Sequence, residues 1–183
     1  MHKILRISSL LAYYVFARYL PDSYTPIIGG LCNKIRVALC RHIFKYCGKV
    51  STINRMAFFG NGSEVEIGDL SGIGAHCRLT NNIKIGNYVM MGPSLITFPD
   101  NHDYADTSKP MCLQGKHGQK KKITIGNDCW IGERVIINCG KHIGNGAVIA
   151  AGSVIAKDVN DYEVVGGNPA RVIKKRKQDI NLQ

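Results

Sequence analysis

An aliphatic residue recurs at every sixth position through most of this chain of 183 residues. The run lapses once in a polar stretch and then resumes; its ladder positions are Ile67, Ile73, Leu79, Ile85, Met91, Ile125, Ile131, Ile137, Ile143, Ile149 and Ile155. Gly follows seven of them, at 68, 74, 86, 92, 126, 132 and 144. A period of six fits neither an α-helix nor an alternating strand. It predicts a parallel β-helix of hexapeptide repeats, in which three short strands form one triangular coil of roughly eighteen residues.

A second column of small or β-branched residues lies four positions after the ladder. Its members are Ser71, Cys77, Ile83, Val89, Leu95, Cys129, Val135, Ala147 and Ser153, with Lys141 as a misfit. We expect both columns to point inward, with each ladder Ile contributing roughly 1.5–3 kcal/mol by burial. Gly and the corner residues Asn87, Asn127 and Asn145 predict tight turns, because both residue types tolerate positive φ.

The first 50 residues lack the repeat and predict two helices, one within residues 4–20 and one over about Asn33–Tyr46. We expect them to cap the open end of the first coil, since solenoids need capping. The alternative role for the first helix is docking on a membrane surface. This helix is too short and too charged for a transmembrane span.

The chain is thus predicted to be one domain in three segments. The segments are an N-terminal helical cap (1–50), a β-helix (51–173) with a loop insertion (98–123), and a basic C-terminal tail (174–183). We also expect a short C-terminal helix.

The net charge of +11 favours polyanionic partners, namely the phosphates of a nucleotide cofactor or an anionic membrane surface. No nucleic-acid module or interleaved aromatic pattern is present, so we expect no nucleic-acid partner. Seven cysteines without a CxxC pair predict a reduced, cytoplasmic chain.

The ladder breaks between Thr97 and Ile123, and a loop of that length in a tight solenoid is usually functional. It contains His102. A neutral imidazole can accept a proton near neutral pH, which a hydroxyl nucleophile requires. His102 is therefore the candidate catalytic base.

Several motifs around this break resemble those of a known family. They are Asn101-His102-Asp103, Pro110-Met111, the run from Ile125 through Trp130 to Gly132, Ala151–Val159, and Val165–Val172. The chain resembles the hexapeptide-repeat acyltransferases, and within them the maltose, galactoside and capsular-polysaccharide O-acetyltransferases. The resemblance implies a left-handed coil, a homotrimer and acetyl-CoA as acyl donor, with no metal required.

The resemblance also implies roles for single residues. His102 would be the general base for direct transfer in a ternary complex. The backbone N–H of Glu133 would stabilise the oxyanion, and Trp130 would line the acyl site. Ala151 would bind the pantetheine chain of coenzyme A through its backbone. Lys157, Arg171 and Lys174 would meet the phosphates of coenzyme A, because cations suit phosphate oxygens.

The acceptor side departs from the family pattern. The Asn that helps to place the acceptor in the galactoside and maltose enzymes would fall near Gly74, so His76 is the candidate replacement. Asn101 and Asp103 are further candidates for acceptor binding, and Asp100, Asp103 or a backbone carbonyl would orient the ring of His102. Asp103 replaces the Pro that follows this His in other members, which places the chain nearer the polysaccharide-type branch.

We therefore expect an acetyl-CoA-dependent O-acetyltransferase acting on a sugar or polysaccharide-precursor hydroxyl. The alternatives are N-acetylation of an amino or nucleotide sugar, acetylation of a streptogramin-type antibiotic, and serine O-acetylation. A γ-carbonic anhydrase would need three converging His, and the His spacing here does not match that pattern. The presence of His102, Trp130, Lys157 and Arg171 together argues against a scaffold without catalysis. The basic helices favour a lipid-linked acceptor at the inner face of the membrane.

Overall fold

The computed structural model describes residues 2–117 and 121–176. Helix α1 spans His2–Val15 and is followed by a 3₁₀ turn at Ala17–Tyr19, and helix α2 spans Gly29–Ile43. A second 3₁₀ turn lies at Met111–Leu113. The strands are β1 Tyr46–Cys47, β2 Thr52–Ile53, β3 Glu66–Ile67, β4 Gly72–Ile73, β5 Ile83–Ile85, β6 Met90–Met91, β7 Ile96–Thr97, β8 Asn101–His102, β9 Lys116–His117, β10 Ile123–Ile125, β11 Trp130–Ile131, β12 Ile136–Ile137, β13 His142–Ile143, β14 Val148–Ile149, β15 Val154–Ile155, β16 Glu163–Gly167 and β17 Ala170–Lys175.

The strands stack in parallel into three sheets that the chain visits in rotation. The first face contains β1, β3, β5, β10 and β13. The second face contains β6, β11, β14 and β16, and the pair β2–β4 extends it through the hydrogen bond from Gly72 N to Val89 O. The third face contains β7, β12 and β15. Ile67 pairs with Ile85 and Ile125 with Ile143, eighteen residues apart, so the ladder residues stack in columns.

Burial confirms that both predicted columns point inward. The ladder residues Ile67, Ile73, Ile131, Ile137 and Ile143 are fully buried. Thr97, where the sequence ladder lapses, keeps its register opposite Ile137 and is 6% exposed. Its hydroxyl accepts a hydrogen bond from Thr80 N at 2.6 Å, so the core continues through this position.

The glycines after the ladder are required by close approach of the next coil. A Cβ on Gly74 would lie 2.2 Å from the carbonyl oxygen of Gly92, and one on Gly132 would lie 2.5 Å from Ala151 N. Positive φ instead occurs three positions after the ladder, for example at Leu70 (55°) and Tyr88 (60°). The expectation that the corner Asn and Gly serve positive φ at those positions is therefore wrong.

The corner Asn residues instead act as hydrogen-bond acceptors between coils. Asp69 N donates to Asn87 Oδ1 at 2.7 Å, and Asn87 N donates to Asn127 Oδ1 at 2.8 Å. Asn127 N and Asn145 N donate in the same way to Asn145 and to Asp161. We call this corner, between the first and second faces, the Asx corner. Its side chains satisfy backbone donors that the turns leave outside the sheets.

The two helices pack against the first coil. Tyr13 is fully buried, its ring lies 4.7 Å from that of Phe59, and its hydroxyl donates to Ala57 O. Arg36 is also fully buried and donates to Ile53 O, Leu20 O, Pro21 O and Ser23 Oγ. Burial lowers the pKa of the Arg36 guanidinium. These bonds fix the turn between the helices against the coil.

Strands β16 and β17 pair antiparallel and end the described coil. Residues 170–175 are thus strand, so the short C-terminal helix that we expected is absent up to Arg176. The remainder of that prediction, and of the basic tail, lies outside the described residues. Within the described ranges, no helix is long and apolar enough to cross a membrane.

Candidate functional site

The insertion between β7 and β10 forms an arm that leaves the coil at the corner between the third and first faces. Its antiparallel strands β8 and β9 place His102 opposite Lys116, and the His102 side chain is exposed. Lys116 Nζ lies 3.1 Å from Asp100 Oδ2, and Asp103 N donates to Gly115 O. The predicted acceptor residue Asn101 is exposed on the same strand as His102. The arm therefore brings Asn101, His102 and Asp103 together.

Two polar clusters fix the shape of this arm. Gln114 Nε2 donates to Asp106 O and Lys109 O. At the return to the coil, Lys122 Nζ donates to Glu66 Oε1 at 2.7 Å. This hydrogen bond holds the pKa of the Glu66 carboxyl below its usual value. The arm is consequently anchored to β3 on the first face.

Trp130 and Glu133 lie elsewhere, on the second face and at the corner that follows it. The Trp130 side chain points outward and is 54% exposed, between Met90 and Val148 of the adjacent coils. Glu133 is exposed, and its carboxylate lies 3.4 Å from Arg134 Nε.

At the corner after the second face, no Asn or Asp lies two positions after the ladder residue. Where the Asx corner has Asn87, Asn127 and Asn145, this corner has Pro93, Glu133 and Ala151. The N–H groups of Glu133 and Ala151 donate no hydrogen bond within the described part of the chain. We call this corner the open corner. It offers two backbone donors in a column, beside the outward ring of Trp130.

The sequence predicts backbone roles for Glu133 and Ala151, but not that the two residues lie in one column at the same corner. Two positions after the ladder residues of the first face lie Asp69, Asn87, Asn127 and Asn145, whereas two positions after those of the second face lie Ala75, Pro93, Glu133 and Ala151. His76 lies at the same corner with φ of 59°, and its N–H donates to Arg55 O. Stacked coils are about 4.8 Å apart, so His76 lies two coils, roughly 10 Å, from Glu133.

The structure places Lys157 and Arg171 in one small cleft of about 130 Å³ at the end of the coil, with Val165 and Val172 among the other lining residues. Both cations are exposed. Lys174 is exposed on β17, opposite Val164. Two of the three predicted phosphate-binding cations thus line one surface.

Comparison with known proteins identifies the family of this chain. The bacterial transferase hexapeptide (six repeats) family matches residues 122–157. Galactoside O-acetyltransferase of Escherichia coli (strain K12) is 32% identical over 146 residues, which are 76% of this chain and 68% of that protein. The chain belongs to the hexapeptide-repeat acetyltransferases. It is also 37% identical to a probable macrolide acetyltransferase of Lysinibacillus sphaericus, over 64% of this chain and 66% of that one.

Solved structures of hexapeptide-repeat acetyltransferases extend the similarity over nearly the whole chain. One, from Vibrio cholerae O1 biovar eltor, was determined in complex with acetyl coenzyme A; it is 29% identical, covers 96% of this chain and 89% of its own, and has a TM-score of 0.74. A maltose O-acetyltransferase from Clostridium difficile 630 is 27% identical, covers 97% and 89%, and has a TM-score of 0.70. These matches confirm the predicted family and acetyl-CoA as donor.

Within a single chain of this acetyltransferase, the two halves of the predicted site lie at different corners. His102 is on the arm that leaves between the third and first faces, whereas Glu133 is at the open corner between the second and third faces. The described residues contain no cluster of three or more His, Cys, Asp or Glu that could hold a metal ion.

Proposed function

We propose that this acetyltransferase transfers an acetyl group from acetyl-CoA directly to a hydroxyl of a sugar or polysaccharide precursor. The observation that carries the proposal is the pair of free N–H donors of Glu133 and Ala151 at the open corner. Backbone donors of this kind suit a thioester oxygen and an extended amide chain. The similarity to galactoside and maltose O-acetyltransferases supports a sugar acceptor.

In the reaction, His102 accepts the proton of the acceptor hydroxyl while the hydroxyl oxygen attacks the thioester carbonyl carbon. The Glu133 N–H stabilises the negative charge that forms on the carbonyl oxygen. When the C–S bond breaks, protonated His102 returns the proton to the leaving sulfur. The Trp130 ring shields the acyl group from water. The products are the acetyl ester and free coenzyme A.

The donor's other contacts would lie one coil further on and at the end of the coil. Ala151 N lies one coil beyond Glu133 N, where it can donate to the pantetheine chain. Lys157 and Arg171 then meet the phosphates, with Lys174 nearby. Arg presents paired donors that match phosphate oxygens, and Lys adds a point charge. Asn101, Asp103 and His76 would contact the acceptor.

A complete site requires a second copy of the chain, because His102 and Glu133 lie at different corners. We propose a homotrimer with three equivalent sites, each between the arm of one subunit and the open corner of its neighbour. In this organisation the helices within residues 1–50 form the cap, residues 51–173 together with strand β1 form a left-handed β-helix, and residues 174–183 form the basic tail.

Replacing His102 with Ala tests the base. We expect kcat for coenzyme A release to fall by roughly 10²–10⁴-fold, with Tm unchanged because the side chain is exposed. His42→Ala, on the exposed side of α2, is the matched control and should keep wild-type rates. Equal rates for wild type and His102→Ala across sugar acceptors would overturn the mechanism.

A second candidate acceptor is the hydroxyl of an antibiotic, favoured by the 37% identity to a probable macrolide acetyltransferase. The same assay, run with a macrolide, a streptogramin and chloramphenicol beside the sugars, separates the two acceptor classes by kcat/KM. An amino sugar in the panel tests N-acetylation.

We further propose that the protein acts in the cytoplasm and docks on the inner face of the membrane, where a lipid-linked acceptor would be presented. The exposed side of α1 is apolar, with Ile4, Ile7, Leu11 and Val15 each more than half exposed. Asp22 is the sole acidic residue before Glu64, against six Lys and Arg from Lys3 to Arg41. An apolar helix face with surrounding cations suits an anionic lipid surface.

Sedimentation with vesicles of phosphatidylglycerol and phosphatidylcholine tests this docking. Wild type should bind, and Leu11→Glu should reduce the bound fraction severalfold, since a carboxylate on the apolar face opposes insertion. Leu113→Glu, at an exposed apolar position on the arm, is the matched control. Identical behaviour of all three proteins would count against the proposal.

A further inference from the structure

A cleft of about 490 Å³ lies directly below the arm that carries His102. It follows the corner between the third and first faces across the first three coils. Its lining includes Phe58, Glu64, Arg78, Asn81, Thr97 and Pro99. Its volume is within the usual range for small-molecule sites. We call it the lower cleft.

The floor of the lower cleft is an aromatic ring that is held in place. Phe58 is 38% exposed, and its ring packs 5.6 Å from the ring of Tyr14 beneath it. Tyr14 is itself fixed, because its hydroxyl donates to Gly60 O at 2.7 Å and accepts from Phe59 N. A half-exposed ring with a fixed orientation offers a flat apolar surface to a ligand without an entropic cost of ordering it.

Polar groups surround this ring. The Arg78 guanidinium carbon lies 5.7 Å from the centre of the Phe58 ring. Within the described ranges, Arg78 has no carboxylate within 4.0 Å, whereas Glu64 is paired with Lys45 at 3.5 Å. Asn81 is half-buried beside them. An aromatic floor with amide, carboxylate and guanidinium groups at its edge matches a sugar ring, which is apolar on its face and hydroxylated around its rim.

The cleft also leads to the base. Pro99 forms part of its wall, and His102 follows three residues later, so the two backbones are separated by at most roughly 11 Å. A glycan whose acetylated hydroxyl lies at His102 would extend its neighbouring sugar units down the corner of the coil, over Phe58.

From this geometry we infer that the lower cleft is an acceptor subsite for a further sugar unit of an oligosaccharide or glycan precursor. That unit would stack on Phe58 and hydrogen-bond to Arg78 and Asn81. The inference rests on the proposed function, since it assumes that the acceptor is a sugar. It implies that the enzyme prefers longer acceptors to single sugars.

The test compares acceptors of increasing length, namely glucose, maltose and maltotriose, and in parallel glucose, cellobiose and cellotriose. Their binding to the coenzyme A-loaded protein is measured by saturation-transfer NMR, and acetylation by coenzyme A release. In at least one series, the trisaccharide should bind more tightly than glucose. Phe58→Ala and Arg78→Ala should each weaken trisaccharide binding roughly three- to tenfold while leaving glucose unaffected.

Arg55→Ala removes an exposed cation from the same first coil outside the cleft, and should bind like wild type. Arg78→Ala keeps the experiment informative if Phe58→Ala disturbs the packing on Tyr14. Binding that is independent of chain length in both series, or equal for wild type and both cleft variants, would overturn the subsite. Length-dependent binding without acetylation would instead retain the subsite and reject the proposed reaction.

Discussion

At the residue scale, the glycine that follows each ladder position sets the spacing of the coils. Strands of one sheet lie about 4.8 Å apart, which leaves no room for a Cβ where two corners stack directly. The Cβ contacts that Gly74 and Gly132 would make are with backbone atoms, which cannot rotate away as a side chain does. The repeated Gly in the sequence therefore marks the positions where the backbones of neighbouring coils are in contact.

Gly74→Ala should destabilise the protein by about 1–3 kcal/mol or more, because the added carbon would overlap Gly92 and force two coils apart. Gly30→Ala is the matched control, since nothing lies within 4 Å of its Cβ position and it falls within α2. Ala there should stabilise by up to about 1 kcal/mol. Urea unfolding followed by circular dichroism measures both; a Gly74→Ala protein as stable as wild type would contradict the argument.

The sequence predicts which residues point inward, but it does not predict why Asn occupies the corner positions. The inward columns are evident from spacing alone, because burial selects residue type at every sixth position. The role of Asn127 is not evident, because Asn is common both at positive φ and as a hydrogen-bond acceptor. Only the register between coils shows that its Oδ1 accepts from Asn87 N.

At the scale of single elements, the arm is the segment that departs most from the regular coil. It leaves the coil after β7, returns at β10, and is held at its return by Lys122 and Glu66. Sequence locates the arm by the loss of the six-residue period. The loss of the period does not predict that β8 pairs with β9. It also does not predict the contact of the arm with β3, because Lys122 and Glu66 are far apart in the chain.

Lys122→Met should lower the free energy of unfolding by about 0.5–1 kcal/mol at pH 7, since the pair is only partly exposed. The pKa of Glu66 is lowered in the folded state mainly by the hydrogen bond from Lys122. The stabilisation is therefore complete above the usual carboxyl pKa of 4.5 and is lost as the pH falls through the lowered value.

Denaturant unfolding of wild type and Lys122→Met at a series of pH values should show the difference shrinking below pH 4.5. Lys109→Met breaks a more exposed pair with Asp106 and serves as control, with little effect expected. A difference between wild type and Lys122→Met that stays constant down to strongly acidic pH would exclude the ion pair as its source.

At the scale of the whole molecule, the first coil departs from the six-residue period. The first turn pairs Ile53 with Ile73, twenty residues apart, because two extra residues lie between Phe59 and Val65. Because of this shift, the regular six-residue ladder is evident in the sequence only from Ile67 onward. The helices, in contrast, follow from composition and lie close to their predicted positions, with α2 beginning at Gly29 instead of near Asn33.

Mixing two defective chains tests whether sites are shared between subunits. His102→Ala and Trp130→Ala proteins should each lose most activity alone. Coexpressed with different tags and purified through both, they should regain activity, because some sites then combine His102 of one chain with Trp130 of the other. Light scattering of the same sample should give a trimer. No recovery in verified mixed assemblies would mean that each site lies within one chain.

The corner between the third and first faces is where the coil departs from its regular length. Both the two extra residues of the first coil and the arm after Thr97 are inserted there, while the Asx corner and the open corner keep one length throughout. Chain length at this corner can therefore vary without disturbing the column of Glu133 and Ala151. Exchange of the arm between related enzymes is expected to change the acceptor contacts that Asn101 and Asp103 make, with the donor half of the site left in place.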